Sequence, residues 1–383
     1  MSVDRDVFDI DRKNISGKRM FNRRNFLIKS ISSVLCLPLS GCAKAVGLSS
    51  IKHEHRVNKL FDSPNFNKST KRFQHPAGDM HDKSLSNLFD FFAEYSGRPD
   101  DKWETTGFPV LKSRINELQN FDENVLWVGH ASIMINHSNL TILTDPHFSD
   151  YASPFSFIGP KRVTSVPFAI PELPRLDVII ISHNHYDHLD EQSIRQIAIY
   201  QPEVRFLVPL GLKKLLLEWG ANDVTELDWW QTTKIKGATF QPTPVQHWSK
   251  RSAFDRNKTL WAGWMTQWED FSFYFAGDTG YSDDFKEVFK RLGSADLAAI
   301  PIGAYEPREF MKSSHINPEE AVMVFNDLGA KHAIAIHWGT FKLTLEKMDE
   351  PPHRLKKALE SAGISRDRFR VLQHGESWPE SLG

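Results

Sequence analysis

Cysteine is nearly absent, with two in 383 residues, Cys36 and Cys42. That excludes a disulfide-stapled scaffold and leaves any metal site to be built without thiolate. Excess charge is also missing, with 47 basic against 48 acidic residues. Residues 1–41 hold eight of the basic and four of the acidic groups, so the remainder carries 39 against 44, a formal charge of −5. Nucleic acid is therefore excluded as an expected partner, since such partners select basic faces. The apolar stretch near the N-terminus falls short of the ~20 residues that cross a bilayer.

What the chain does have is histidine concentrated in one place. His183-Asn184-His185-Tyr186-Asp187-His188 puts three imidazoles and a carboxylate into six positions. The loop follows Asp177-Val-Ile-Ile-Ile-Ser182, a β-branched run with polar flanks that predicts a fully buried strand in a layered α/β protein. His183 and His185, two apart at the end of an extended segment, face one side, while Asp187 and His188 lie beyond the turn and can face a second ion. One loop can thus serve two metals. Imidazole and carboxylate suit zinc, and the same donors accept iron or manganese in one position. A lone loop histidine is ordinarily just solvated; the density here points to metal.

Three further strings end the same way. Ala238-Thr-Phe-Gln-Pro-Thr-Pro-Val-Gln246 runs into His247, Phe271-Ser-Phe-Tyr-Phe-Ala-Gly277 into Asp278, and Ala333-Ile-Ala-Ile336 into His337. Taken singly, each is an ordinary capped histidine or a turn aspartate. Together they place candidate ligands at one edge of a sheet system, where α/β architectures carry their chemistry.

The succession of HxHxDH, a lone histidine, a Gly-Asp-Thr-Gly aspartate and a final histidine resembles the metallo-β-lactamase superfamily. Within it, Glu226-Leu-Asp-Trp-Trp230, Gln246-His-Trp-Ser249, Phe275-Ala-Gly-Asp-Thr-Gly-Tyr281, Ile300-Pro-Ile-Gly-Ala-Tyr-Glu-Pro-Arg308 and Ile336-His-Trp-Gly-Thr-Phe341 resemble the phospholipases D that hydrolyse N-acyl-phosphatidylethanolamine. The resemblance implies an α/β fold, a four-layer αββα sandwich, with an N-terminal extension. It implies two zinc ions, one held by His183, His185 and His247, the other by Asp187, His188 and His337, with Asp278 between them. It further implies a metal-bridging hydroxide that attacks phosphorus, with Asp187, Asp278 and His315 as the catalytic residues. His315 matches a histidine near the reacting phosphate, and its expected role is substrate positioning or protonation of the leaving oxygen. It stands just before a well-signalled helix, with Asn317 as N-cap and Pro318 at the first helical position. Asp145 and His130 are expected to orient metal-bound imidazoles.

The N-terminus carries a second signal. Asn22-Arg-Arg-Asn-Phe-Leu-Ile-Lys29 is a twin-arginine signature, and Leu39-Ser-Gly-Cys42 resembles a bacterial lipoprotein cleavage box. Residues 1–41 are thus expected to leave as a signal peptide, with Cys42 lipidated and anchored in the bacterial cell envelope, facing the periplasm. Ala43 after the cysteine resembles the signal for passage to the outer membrane. Residues 42–120 read as a linker and extension, with 43–80 polar and aperiodic, and residues 121–383 as the catalytic domain.

Apolar spacing over 84–95 predicts an amphipathic helix, packed on the core or facing a membrane. Leu212-Lys-Lys-Leu-Leu-Leu-Glu-Trp219 predicts a second helix packed on the core and stopped by Gly220. Of the eleven tryptophans, Trp229, Trp230, Trp248 and Trp338 lie close to ligand strings and are either core or the lining of an apolar substrate channel. The expected function is a zinc phosphodiesterase cleaving N-acyl-phosphatidylethanolamine-type glycerophospholipids on the headgroup side, giving phosphatidic acid and an N-acylethanolamine. The alternatives are a hydrolase of a lactone, amide or phosphosugar, and a non-catalytic lipid-binding envelope lipoprotein.

Overall fold

The structure is a computed structural model that describes residues 62–78, 102–112 and 124–378, all within one compact unit. The twin-arginine segment, Cys42 and the helix expected over 84–95 lie outside the described residues. No helix among the described residues is long and apolar enough to cross a membrane.

A short hairpin, β1 (Phe66–Asn67) and β2 (Arg72–Phe73), precedes helix α1 (Lys102–Thr106). The chain then lays down β3 (Asn124–Gly129), β4 (Ser132–His137), β5 (Leu140–Thr144), β6 (Val178–Ile180), β7 (Arg205–Pro209) and β8 (Asp223–Leu227) side by side in chain order. A second sheet takes β9 (Thr233–Ile235), β10 (Ala238–Thr243), β11 (Gly263–Gln267), β12 (Ser272–Phe275), β13 (Leu297–Pro301), β14 (His332–Ile336) and β15 (Phe369–Arg370). The last strand, β16 (Ser377–Trp378), returns to the first sheet beside β3. Both sheets have seven strands and one direction pattern, three antiparallel pairings followed by three parallel ones.

Strand periodicity sets the layering, because successive side chains leave opposite faces. In β3, Val125 and Trp127 enter the large core shared with the second sheet, whereas Leu126 and Val128 enter a smaller core on the other face. The same split separates Ile133 and Ile135 from Met134, and Val178 and Ile180 from Ile179. The smaller core is closed by Ile194 and Ile197 of α2 (Glu191–Tyr200) and Leu216 of α3 (Lys213–Glu218). The second sheet is covered by α4 (Asp284–Leu292), a single turn α5 (Arg308–Met311), α6 (Pro318–Asp327) and α7 (Glu350–Ala362), whose Phe285, Val324, Phe325 and Leu355 join the large core. Helices, sheet, sheet and helices make the expected αββα sandwich. Each Ile or Phe wholly buried between the layers contributes roughly 1.5–3 kcal/mol. The helix expected at 212–219 forms on the smaller core as predicted, and Gly220 ends it with φ +101°.

The expected linker departs from expectation over residues 62–78, which fold onto the sandwich. Phe73 is completely buried, and its backbone N–H donates to the Asn257 carbonyl at 2.7 Å. Asn65 Nδ2 donates to Asp228 at 3.1 Å, and His75 Nε2 meets Asp284 at 2.7 Å. Two phenylalanines in a polar stretch show no period, which is why the segment read as linker; their rings pack edge to face at 5.1 Å. Trp103 of α1 likewise stacks on Phe108, which packs against Trp338. The catalytic unit therefore takes in residues before 121. Phe73→Ala is expected to destabilise the protein by about 3 kcal/mol, read as a lower urea midpoint; a linker residue would leave the midpoint unchanged.

Candidate metal centre

Six strand ends converge. The residue after β3 is His130, and the residue after β5 is Asp145; β6 leads into His183, β10 into His247, β12 into Asp278 and β14 into His337. The strand directions put β3, β5 and β6 in one orientation within the first sheet, and β10, β12 and β14 in one orientation within the second. Each ligand string thus starts at a carboxyl end, where such sheets carry their chemistry.

The loop after β6 is fixed at both ends. Ser182 donates its N–H and its hydroxyl to the Asp145 carboxylate. The His188 N–H closes a turn onto the His185 carbonyl at 3.1 Å, and Asp190 caps α2 by accepting from Ser193 N at 3.1 Å. Gly277, before Asp278, has φ +60°, and a Cβ there would lie 2.7 Å from the Ser182 Cβ, so only glycine lets the two loops approach. His130, Asp145 and His337 themselves sit at φ +53°, +32° and +61°. Strained backbone at three non-glycine residues of one cluster marks a functional site.

The expected ligands gather in two overlapping clusters, with His130 beside the second. His183, His185, His247 and Asp278 offer ligand atoms within 4.8 Å of one another, and so do His130, Asp187, His188 and His337. Asp278 stands between the sets: its oxygens lie 3.1 Å from His188 Nε2 and 3.1 Å from His337 Nε2, and 3.8 Å from His183 and His247. His315 is brought to the same point, its Nδ1 3.9 Å from Asp278. Asn317 is the anticipated N-cap of α6 and forms a capping box with Glu320, and the Arg308 guanidinium, paired with Glu320, holds the His315 carbonyl at 2.7 Å.

Supporting hydrogen bonds settle which ring nitrogens carry protons. Ser314 O can only accept, so the His247 Nδ1 at 2.9 Å is the N–H and Nε2 presents its lone pair to the centre. Asp145 does the same for His188, accepting from Nδ1 at 2.7 Å, as expected of an orienting residue. His130 acts differently from expectation: it bonds the Asp187 carboxylate at 3.1 Å and packs on the His337 ring at 4.1 Å, so it orients a carboxylate as well as an imidazole. The sequence reading missed Ser182, whose hydroxyl joins Asp145 to His183. Its position as the residue opening the histidine loop was the available signal.

The donor set fits a pair of cations. His188 Nε2 and His337 Nε2 face each other at 3.2 Å, and the buried His185 Nε2 has no protein partner. Burial and the neighbouring imidazoles hold His183 and His185 well below the usual histidine range, and burial takes His247 down to about 4, so these rings are neutral and ready to donate lone pairs. Burial opposes charge on His337 and on His188, but Asp278 and Asp187 outweigh it, lifting His337 to about 9 and His188 well above its ordinary value. Asp278 in turn stays well below the carboxylate range: burial raises it, and His188 and His337 more than compensate. Of the four tryptophans near the ligand strings, Trp229 and Trp338 are core, Trp230 is half-buried against it, and half-buried Trp248 packs edge-on to His185 at 4.3 Å.

A family model described as a beta-lactamase superfamily domain matches residues 141–338, half of the chain. The chain belongs to the metallo-β-lactamase superfamily. Its relatives include N-acyl-phosphatidylethanolamine-hydrolyzing phospholipase D 1 of Caenorhabditis elegans, 43% identical over 267 residues that cover 67% of this chain and 75% of that one. The mitochondrial N-acyl-phosphatidylethanolamine-hydrolyzing phospholipase D of Saccharomyces cerevisiae is 38% identical over 258 residues, 66% of this chain and 54% of that one. Among solved structures, an isothiocyanate hydrolase from Delia radicum gut bacteria shares the fold, with a TM-score of 0.55 and 17% identity over 68% of this chain and 100% of that one. The chain is a metal-dependent hydrolase of this superfamily, and the non-catalytic alternative falls away.

Asp145 holds His188 in the tautomer that faces the centre, so Asp145→Asn is expected to lower affinity for one of two metals about 10- to 100-fold. Metal content after dialysis against a chelator measures this; two metals retained as tightly as in the parent would refute the orienting role.

Proposed function

We propose that the protein is a dinuclear zinc phosphodiesterase acting on glycerophospholipids of the N-acyl-phosphatidylethanolamine type, releasing an N-acylethanolamine and leaving phosphatidic acid. The observation that carries this reading is 43% identity to a phospholipase D of that specificity over 267 residues, far more than a shared metal motif requires. His183, His185 and His247 would hold one ion and Asp187, His188 and His337 the other, with Asp278 shared and His130 steering Asp187. Zinc bound at such a pair brings the pKa of water toward neutrality and offsets charge on phosphoryl oxygens.

The remaining chemistry belongs to the chain. Hydrolysis adds the oxygen of water to phosphorus and breaks the bond from phosphorus to the ethanolamine oxygen, which leaves needing a proton. His315 lies beside Asp278, its Nδ1 3.9 Å away, and its side chain is 13% exposed. It would donate that proton, and the Arg308 contact to its carbonyl, which steadies its backbone, supports this role. Cys42, acylated after removal of residues 1–41, would hold the enzyme at the envelope membrane where its substrate lies.

Mass spectrometry of products from N-acyl-phosphatidylethanolamine, phosphatidylethanolamine and phosphatidylglycerol tests the reading. Phosphatidic acid is expected from the parent and none from Asp278→Asn, while His315→Ala lowers kcat by about 10²-fold or more. No product from any lipid, with two metals bound per chain, would move the assignment to a lactone, amide or phosphosugar. Metabolic labelling with a palmitate analogue in a bacterial host is expected to mark the parent and leave Cys42→Ser unlabelled; equal labelling would remove the anchor.

A further inference from the structure

Four of the nine large apolar side chains exposed among the described residues sit on two loops: Phe155, Phe157 and Ile158 on one, Phe254 on the other. Phe157 is 75% exposed and Phe254 82%. Both loops are built to keep these rings out. The first is closed at its base by the Ala152 N–H donating to Pro160 O at 2.9 Å and by a Tyr151–Lys161 bridge. The Phe155 and Phe157 rings then pack on each other at 5.8 Å. In the second, the Asp255 carboxylate accepts from Arg251 N at 3.1 Å and Ser252 N at 2.7 Å, a tight turn with Phe254 at its outer side.

Both loops are rooted in the rim of the metal centre. Arg162, at the foot of the first, lies over the Phe341 ring at 4.7 Å, and Phe341 packs edge-on to His130 at 5.2 Å. Arg256, in the second, lies over Trp248 at 4.4 Å, and Trp248 packs on His185. A cavity of about 360 Å³ between them is lined by Phe155, Tyr186 and Arg251. The second loop is basic, against the acidic trend of residues 42–383, with Lys250, Arg251, Arg256 and Lys258 against Asp255, whereas in the first exposed Lys161 is balanced by exposed Asp150.

We infer that these two loops form a docking platform that enters the interfacial layer of an anionic lipid bilayer and sets the metal centre against its surface. Aromatic and branched tips enter the acyl boundary while lysine and arginine stay at the headgroups. Two separate protrusions with apolar tips, one of them flanked by lysine and arginine, suit a deformable anionic bilayer. The docking is independent of Cys42. It rests on the phospholipid reading only for its effect on turnover, because binding is measured without catalysis.

The test uses the full-length chain with Cys42→Ser, sedimented with vesicles of phosphatidylethanolamine and phosphatidylglycerol. The parent is expected to sediment with them, and Phe157→Ser combined with Phe254→Ser to weaken partitioning about tenfold or more. Hydrolysis of a short-chain phospholipid below its micellar concentration is expected to stay unchanged, which separates docking from damage to the centre. Equal sedimentation of parent and variant, or none by the parent, overturns the inference. So does a shift from dimer to monomer on gel filtration with vesicle binding intact, which would assign the loops to a second copy. Vesicle binding that depends on the loops, with no phospholipid hydrolysed, would sustain the platform and sink the proposed function.

Discussion

A carboxylate withdrawn from water demands compensating positive charge, and the centre of this protein is arranged around that demand. Asp278 is 3% exposed and 3.1 Å from both His188 and His337. Asp278 and Asp187 raise the proton affinity of those two imidazoles, whereas burial suppresses that of His183, His185 and His247. Cations held there would find the lone pairs of His188 and His247 already aimed, because Asp145 and the Ser314 carbonyl fix those tautomers from behind.

That arrangement depends on strand direction more than on any single contact. Each sheet changes from antiparallel to parallel pairing at the same place in its strand order, after β5 in the first and after β12 in the second. The strands at those changes deliver Asp145 and Asp278, one orienting residue and one residue shared between the ligand sets. Crossovers through α2 in the first sheet and α4 and α6 in the second are what parallel pairing requires, and they supply the outer layers. Layering and chemistry therefore come from one topological feature.

Much of this was legible in the sequence because the decisive signals are local. A buried β-branched strand running into six positions with three histidines and an aspartate needs no tertiary information. The N-cap at Asn317 and the helix at Lys213–Glu218 were likewise readable from neighbouring residues. The hairpin of Phe66 and Phe73 was not, since two aromatics in a polar stretch acquire meaning only from a groove formed far along the chain, next to Asn257 and Asp228. The role of His130 was partly hidden for the same reason: its partner Asp187 is distant in sequence, and only the folded loop shows that it grips a carboxylate.

The strand that completes the first sheet comes from the other end of the chain. β16 pairs Ser377 with Leu126 and Trp378 with Val125, so β3 keeps an open edge until a strand about 250 residues later is made. A ribosome can release β3 to β8 in order, each strand meeting a neighbour already present, yet the edge next to His130 stays unpaired until β16 is made. Loss of Ser377 and Trp378 would thus be felt at the rim of the metal centre, because the strand they cover runs directly into His130.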